Sequence, residues 1–141
     1  MDFNEVKRIF KNCPDLKGLE ETATSLLFWH SCETTLARNA IIYAEGTPLD
    51  DTLCVLLSGS LAVEKAGLVL GQITENQIFG EMAYFTRLHE RTATVRVSSP
   101  HAGVLQIGLN SRELSTPPFS ALKKYLGLQA WDRFVSGSQE V

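Results

Sequence analysis

What most limits the fold of this chain is a series of short β-prone runs between Thr34 and Leu109. They are Ala40 to Tyr43, Leu53 to Leu57, Leu61 to Val63, Leu68 to Ile73, Thr92 to Val97 and Gly103 to Ile107. Between them stand Glu45-Gly46-Thr47-Pro48, Ser58-Gly59-Ser60, Ala66-Gly67 and Ser99-Pro100. Glycine supplies positive φ, proline presets φ, and serine bonds its own backbone, so each cluster marks a turn. Many short strands at this spacing predict an antiparallel sandwich or barrel of jelly-roll type.

The flanks have a different period. Residues 4 to 30 read as helical: Val6, Ile9 and Phe10 share a face, Cys13-Pro14-Asp15 interrupts, and Leu26, Leu27 and Trp29 close a second stretch. After Pro117-Pro118, Phe119, Leu122 and Leu126 recur at helical spacing, with Tyr125, Leu128, Trp131 and Phe134 beside them. The predicted chain is one mainly β domain with flanking helices, residues 1–141. A helical lead-in (1–33) precedes an antiparallel jelly-roll β-barrel, a double-stranded β-helix (34–109), and C-terminal helices follow (110–136).

Composition removes several function classes. A formal net charge of -3 offers no basic face for nucleic acid, and nothing after Phe134 would form a helix-turn-helix. No apolar run approaches the roughly 20 residues that span a bilayer. The amphipathic start MDFNEVKRIF has no signal-peptide core, which predicts a cytoplasmic protein with no membrane partner. Cys13, Cys32 and Cys54 form no CxxC pair and read as buried thiols in a reducing compartment. His30, His89 and His101 are scattered without metal-ligand spacing. No metal site and no catalytic residue is expected, and a cupin-type enzyme is rejected on the same ground.

Phe79 to Val97, FGEMAYFTRLHERTATVRV, does not read like ordinary core. Gly80 to Phe85 reads as a helical turn among strands, and a helix start presents free N–H groups and a positive dipole end to an anion. Arg91 can grip a phosphate through two parallel N–H bonds. Thr92 can add a hydroxyl, and Ala93 leaves room for close approach. Glu81 would repel a phosphate but could accept from a sugar hydroxyl, so a nucleotide whose phosphate is tied back onto its ribose suits the set. Taken singly, Arg91 reads first as a surface strand arginine pairing with Glu90 or Glu81, and Glu81 as a helix-start carboxylate stabilised by the dipole.

Together these residues resemble the phosphate-binding cassette (residues 79–95) of the cyclic-nucleotide-binding domain family, of the catabolite-activator and protein-kinase regulatory-subunit type. The matching motifs are Phe79-Gly80-Glu81-Met82-Ala83-Tyr84-Phe85 and Arg91-Thr92-Ala93-Thr94-Val95. Ile42-Tyr43-Ala44-Glu45-Gly46 is similar to the family's I-x-x-E-G turn, and Leu53 to Gly59 to its strand ending in Ser-Gly. Two departures lie in the scaffold. Leu49-Asp50-Asp51 replaces a small residue, and Tyr43 stands where a smaller aliphatic residue is common.

The resemblance implies a non-enzymatic regulatory sensor of a cyclic mononucleotide, cAMP ranked ahead of cGMP, with no other cofactor. Arg91 would hold the exocyclic phosphate oxygens and Glu81 the ribose 2′-OH. Gly80, Met82 and Ala83 would make backbone contacts, Thr92 would meet phosphate or base, and Ala93 completes the set. A C-terminal lid helix would transmit binding to an unidentified effector protein or domain, with Tyr125 or Trp131 as candidate caps on the base. A homodimer is compatible with this reading. The alternative is a domain of the same fold that binds no ligand and serves protein–protein interaction or oligomerisation.

Overall fold

The computed structural model describes residues 1–14, 16–48, 52–80 and 90–108. Two helices, α1 (Phe3–Asn12) and α2 (Glu21–Trp29), precede eight strands. These are β1 (Ser31–Ala37), β2 (Ile41–Tyr43), β3 (Thr52–Ser58), β4 (Leu61–Lys65), β5 (Leu68–Ile73), β6 (Ile78–Phe79), β7 (Thr94–Val97) and β8 (His101–Gly108). They form two four-stranded sheets, ordered β1-β8-β3-β6 and β2-β7-β4-β5, and every pairing is antiparallel. The chain passes back and forth between the sheets, giving the mainly β jelly roll that the spacing of turns predicts. No helix among the described residues is long and apolar enough to cross a membrane.

Period-two alternation explains how the layers stack. In β3, Cys54 and Leu56 turn into the space between the sheets, where they meet Tyr43, Leu61, Val63, Phe79, Val95, Val97 and Val104. Leu53 and Val55 turn the other way and pack with Leu105 and Ile107 against Val6, Phe10 and Leu27 of the helices. β3 and β8 are thus covered on both faces, which is why β3 reads as a continuous apolar run and β8 departs from one in its interior only at Gln106. The lead-in is held for the same reason. Asp2 caps α1 by accepting the Glu5 N–H at 2.8 Å, and its Val6 and Phe10 are almost fully buried.

Turn chemistry fixes the hairpin β4–β5. Ala66 and Gly67 both have positive φ (53° and 79°), the pairing that matches strand twist in a two-residue turn. The Glu45 carboxylate accepts the Ala66 N–H at 2.9 Å and ties that turn to the one after β2.

Three expectations need correction. Residues 31–33 belong to β1 rather than to a helical lead-in, and β1 pairs with β8 along its whole length. It carries no alternation because most of its residues are exposed on an edge strand. The strand expected over Thr92 to Val97 begins at Thr94, after a bend at Thr92–Ala93. Cys13 and Cys54 are buried as expected, but Cys32 is exposed on β1. The C-terminal helices expected over 110–136 lie outside the described residues.

Leu27 is fully buried between the helices and β3/β8. Leu27→Ala is expected to cost about 2–5 kcal/mol, read as a lower denaturant midpoint at unchanged slope.

Candidate functional site

Arg91 is the only charged side chain among the buried described residues, with 4% of its surface exposed. Its backbone is clamped before its side chain is placed. The Gly46 N–H donates to the Arg91 carbonyl, and the Arg91 N–H donates to the Thr47 carbonyl, both at 2.9 Å. Pro48 bridges Glu90 alongside. The Glu45-Gly46 turn therefore acts as a backbone clip on residue 91, and Gly46 takes the φ of 81° that the turn requires.

From this anchor the guanidinium reaches three elements. Nη1 donates to the Gly80 carbonyl at 2.8 Å. Nη2 donates to the Thr52 carbonyl at 2.9 Å and to Thr52 Oγ1 at 3.2 Å. Its central carbon lies 3.7 Å from the centroid of the Tyr43 ring. A guanidinium stays charged at any physiological pH, so burial requires acceptors or an aromatic face in place of water.

Tyr43 is itself buried, edge-on to Phe79 with ring centroids 5.9 Å apart. Its hydroxyl lies 2.9 Å from Thr52 Oγ1 and 3.2 Å from Cys54 Sγ. Because Arg91 can only donate, these groups can be satisfied as a one-way chain from Nη2 through Thr52 and Tyr43 to the Cys54 sulfur. Burial, reinforced by Cys54, pushes the Tyr43 phenol well above the ordinary tyrosine value, and the Arg91 charge opposes this only in part.

Gly80 closes the site. Its φ is 91°, and a Cβ there would meet Tyr43 Cε2 at 2.8 Å and Arg91 Nη1 at 3.1 Å. Both the backbone conformation and the packing thus call for glycine.

Of the sequence-predicted set, the fold brings Gly80 and Arg91 into direct contact. Ala93 faces the core between the sheets. Thr92 is half-buried, and its Oγ1 has no hydrogen-bond partner among the described residues. Glu81, Met82 and Ala83, with the expected helical turn and His89, lie outside the described residues, as do Tyr125 and Trp131. Arg91 is neither a surface arginine nor at a strand start. Arg96, by contrast, pairs with Glu64 at 2.9 Å. Sequence reasoning missed Tyr43 and Thr52 as neighbours of Arg91. The one available signal was the unusual bulk of Tyr43.

Two outcomes follow from this geometry. Gly80→Ala is expected to destabilise the fold by about 1–3 kcal/mol, measured by denaturant titration. For Tyr43 the folded protein holds the phenolic proton more tightly than the unfolded chain does. That contribution is intact below the unfolded value of about 10 and is lost as pH rises through the higher folded one. The denaturant midpoint should therefore fall more steeply from about pH 9 to about pH 11 in the wild type than in Tyr43→Phe.

The profile of the family described as "Cyclic nucleotide-binding domain" matches residues 33–111, more than half of the chain. No curated protein sequence matches significantly. Among solved structures, a putative cyclic nucleotide-binding protein from Geobacter metallireducens superposes with a TM-score of 0.77 at 18% identity, covering 93% of this chain and 96% of its own. The regulatory domain of Toxoplasma gondii protein kinase A, crystallised with cAMP, gives 0.68 at 20% identity, over 95% of this chain and 48% of its own. The regulatory subunit of a cAMP-independent protein kinase A from Trypanosoma cruzi, bound to guanosine, gives 0.71 at 16%, over 95% and 46%. This chain spans about half the length of those kinase regulatory chains. At such identities the superpositions establish the fold, and the profile match establishes the family: the chain belongs to the cyclic nucleotide-binding domain family.

Proposed function

We propose that the chain acts as one regulatory domain that binds a cyclic mononucleotide, cAMP in preference to cGMP, and catalyses no reaction. The observation that carries this reading is the buried Arg91 guanidinium, held at Gly80, where residues 81–89 begin. A cyclic phosphodiester would meet its N–H groups at the mouth of the cassette, exchanging neutral carbonyl acceptors for an anionic one. The Thr92 hydroxyl, a buried donor without a partner among the described residues, would gain one in the ligand. Glu81 would accept from the ribose 2′-OH, and Gly80, Met82 and Ala83 would line sugar and phosphate. Residues 110–136 would carry the response to an effector as a shift between two populations, with Tyr125 or Trp131 against the base.

A second reading is a nucleoside pocket without a phosphate grip. It is favoured by the carbonyl acceptors that Arg91 already holds and by the guanosine in the trypanosomal neighbour.

Calorimetry on nucleotide-stripped protein separates these readings, with cAMP, cGMP and guanosine as titrants. Saturable one-to-one heat is expected with cAMP, weaker with cGMP and absent with guanosine. Arg91→Ala should cost about 3 kcal/mol or more of binding, over a hundredfold, and Arg91→Lys less, since lysine keeps the charge but loses the fork. Equal affinities in wild type and both variants would refute the phosphate role. Heat with guanosine alone would select the second reading, and no heat at all would leave a protein-interaction module.

A further inference from the structure

We propose that Tyr43 is the positioning residue of the phosphate grip, its ring serving as the platform that aims the Arg91 guanidinium. This rests on the reading of Arg91 as the residue that holds the phosphate.

Three observations place Tyr43 in that role. The guanidinium carbon stands 3.7 Å from the ring centroid, within the range where the ring's negative face attracts a cation. That side of the guanidinium is therefore closed to a ligand, and an anion can approach only the edge or the opposite face. The ring is itself held at both ends. Phe79 packs edge-on against it, and its hydroxyl is bonded to Thr52 Oγ1 and Cys54 Sγ. Thr52 Oγ1 also accepts from Arg91 Nη2, so platform and guanidinium share one anchoring group. Finally, Gly80 leaves space for the arrangement, because a side chain there would strike the Tyr43 ring and Arg91 Nη1 together.

A long arginine side chain has many rotamers, and fixing its planar fork beforehand removes an ordering cost from ligand binding. A smaller aliphatic residue at position 43 would leave the guanidinium without this face. The polar end of Tyr43 secures the ring, while the ring does the aiming. The two contributions are separable by mutation.

The test compares cAMP affinity by calorimetry in wild type, Tyr43→Phe, Tyr43→Leu and each change combined with Arg91→Lys. Unfolding midpoints are measured on the same samples. Tyr43→Leu should bind cAMP about tenfold more weakly, the scale of a desolvated cation–π contact. Tyr43→Phe keeps the platform and should recover most of that loss, although both variants lower the midpoint. In the Arg91→Lys background, Tyr43→Leu should add little, because the planar fork it aims is gone. A merely structural role would lower the midpoint and leave the affinity of the folded fraction unchanged in every background.

Should Tyr43→Leu not fold, wild-type NMR decides. The Arg91 side-chain protons should be shifted upfield by the ring in both free and cAMP-bound protein. Wild-type affinity in folded Tyr43→Leu, or loss of the ring shift on cAMP binding, overturns the positioning role and leaves the sensor reading intact. No cAMP heat from the wild type overturns both.

Discussion

A permanent positive charge is enclosed at one end of the sandwich, and much of the local structure follows from satisfying it. A guanidinium has donors on every edge and no acceptor, so its burial calls for acceptors or an aromatic face wherever water would otherwise solvate it. These groups come from separate elements: Tyr43 of β2, Thr52 of β3 and Gly80 just after β6. The turn at Gly46 and Thr47 holds the backbone of residue 91 while they converge. One side chain thus ties together strands from both sheets where the candidate ligand segment begins.

That convergence relies on a rigid frame. β3 supplies Thr52 at its first residue and is packed on both faces, by helices on one and by the second sheet on the other. Close packing allows little displacement of a strand enclosed in this way. The helical lead-in therefore contributes indirectly to the site, by burying the outer face of the sheet from which Thr52 projects. Residues carrying the site's polar contacts sit on or beside strands, which orient side chains more precisely than free loops.

Much of the fold was legible because its signals are local. The run from Leu68 to Ile73 matches β5 residue for residue, and β3 and β8 lie within a few positions of their apolar runs, because turn residues bound them. β1 escaped because Ser31–Ala37 is a mostly exposed edge strand, held by β8 rather than by its own pattern. β6 was concealed within the cassette motif, since Ile78 and Phe79 pair with β3 for only two residues. At the candidate site, the nearness of Gly80 and Arg91 was legible from their spacing. That of Tyr43 and Thr52 was not, because nothing in residues 39 or more positions before Arg91 announces that they meet its guanidinium.

The sequence alone determined the class of fold, the turns, Gly80 and Arg91 as candidate site residues, and the family resemblance, since each is written in residues close together in the chain. Tertiary structure decided that Arg91 is buried rather than exposed, and that among the described residues its guanidinium meets Gly80, Thr52 and Tyr43. It also decided that the tyrosine departing from the family pattern in the scaffold lies under the charge. The physical reason is that burial and hydrogen-bond partnership are properties of non-local contacts. Periodicity and turn chemistry report only what a residue does with its neighbours in sequence.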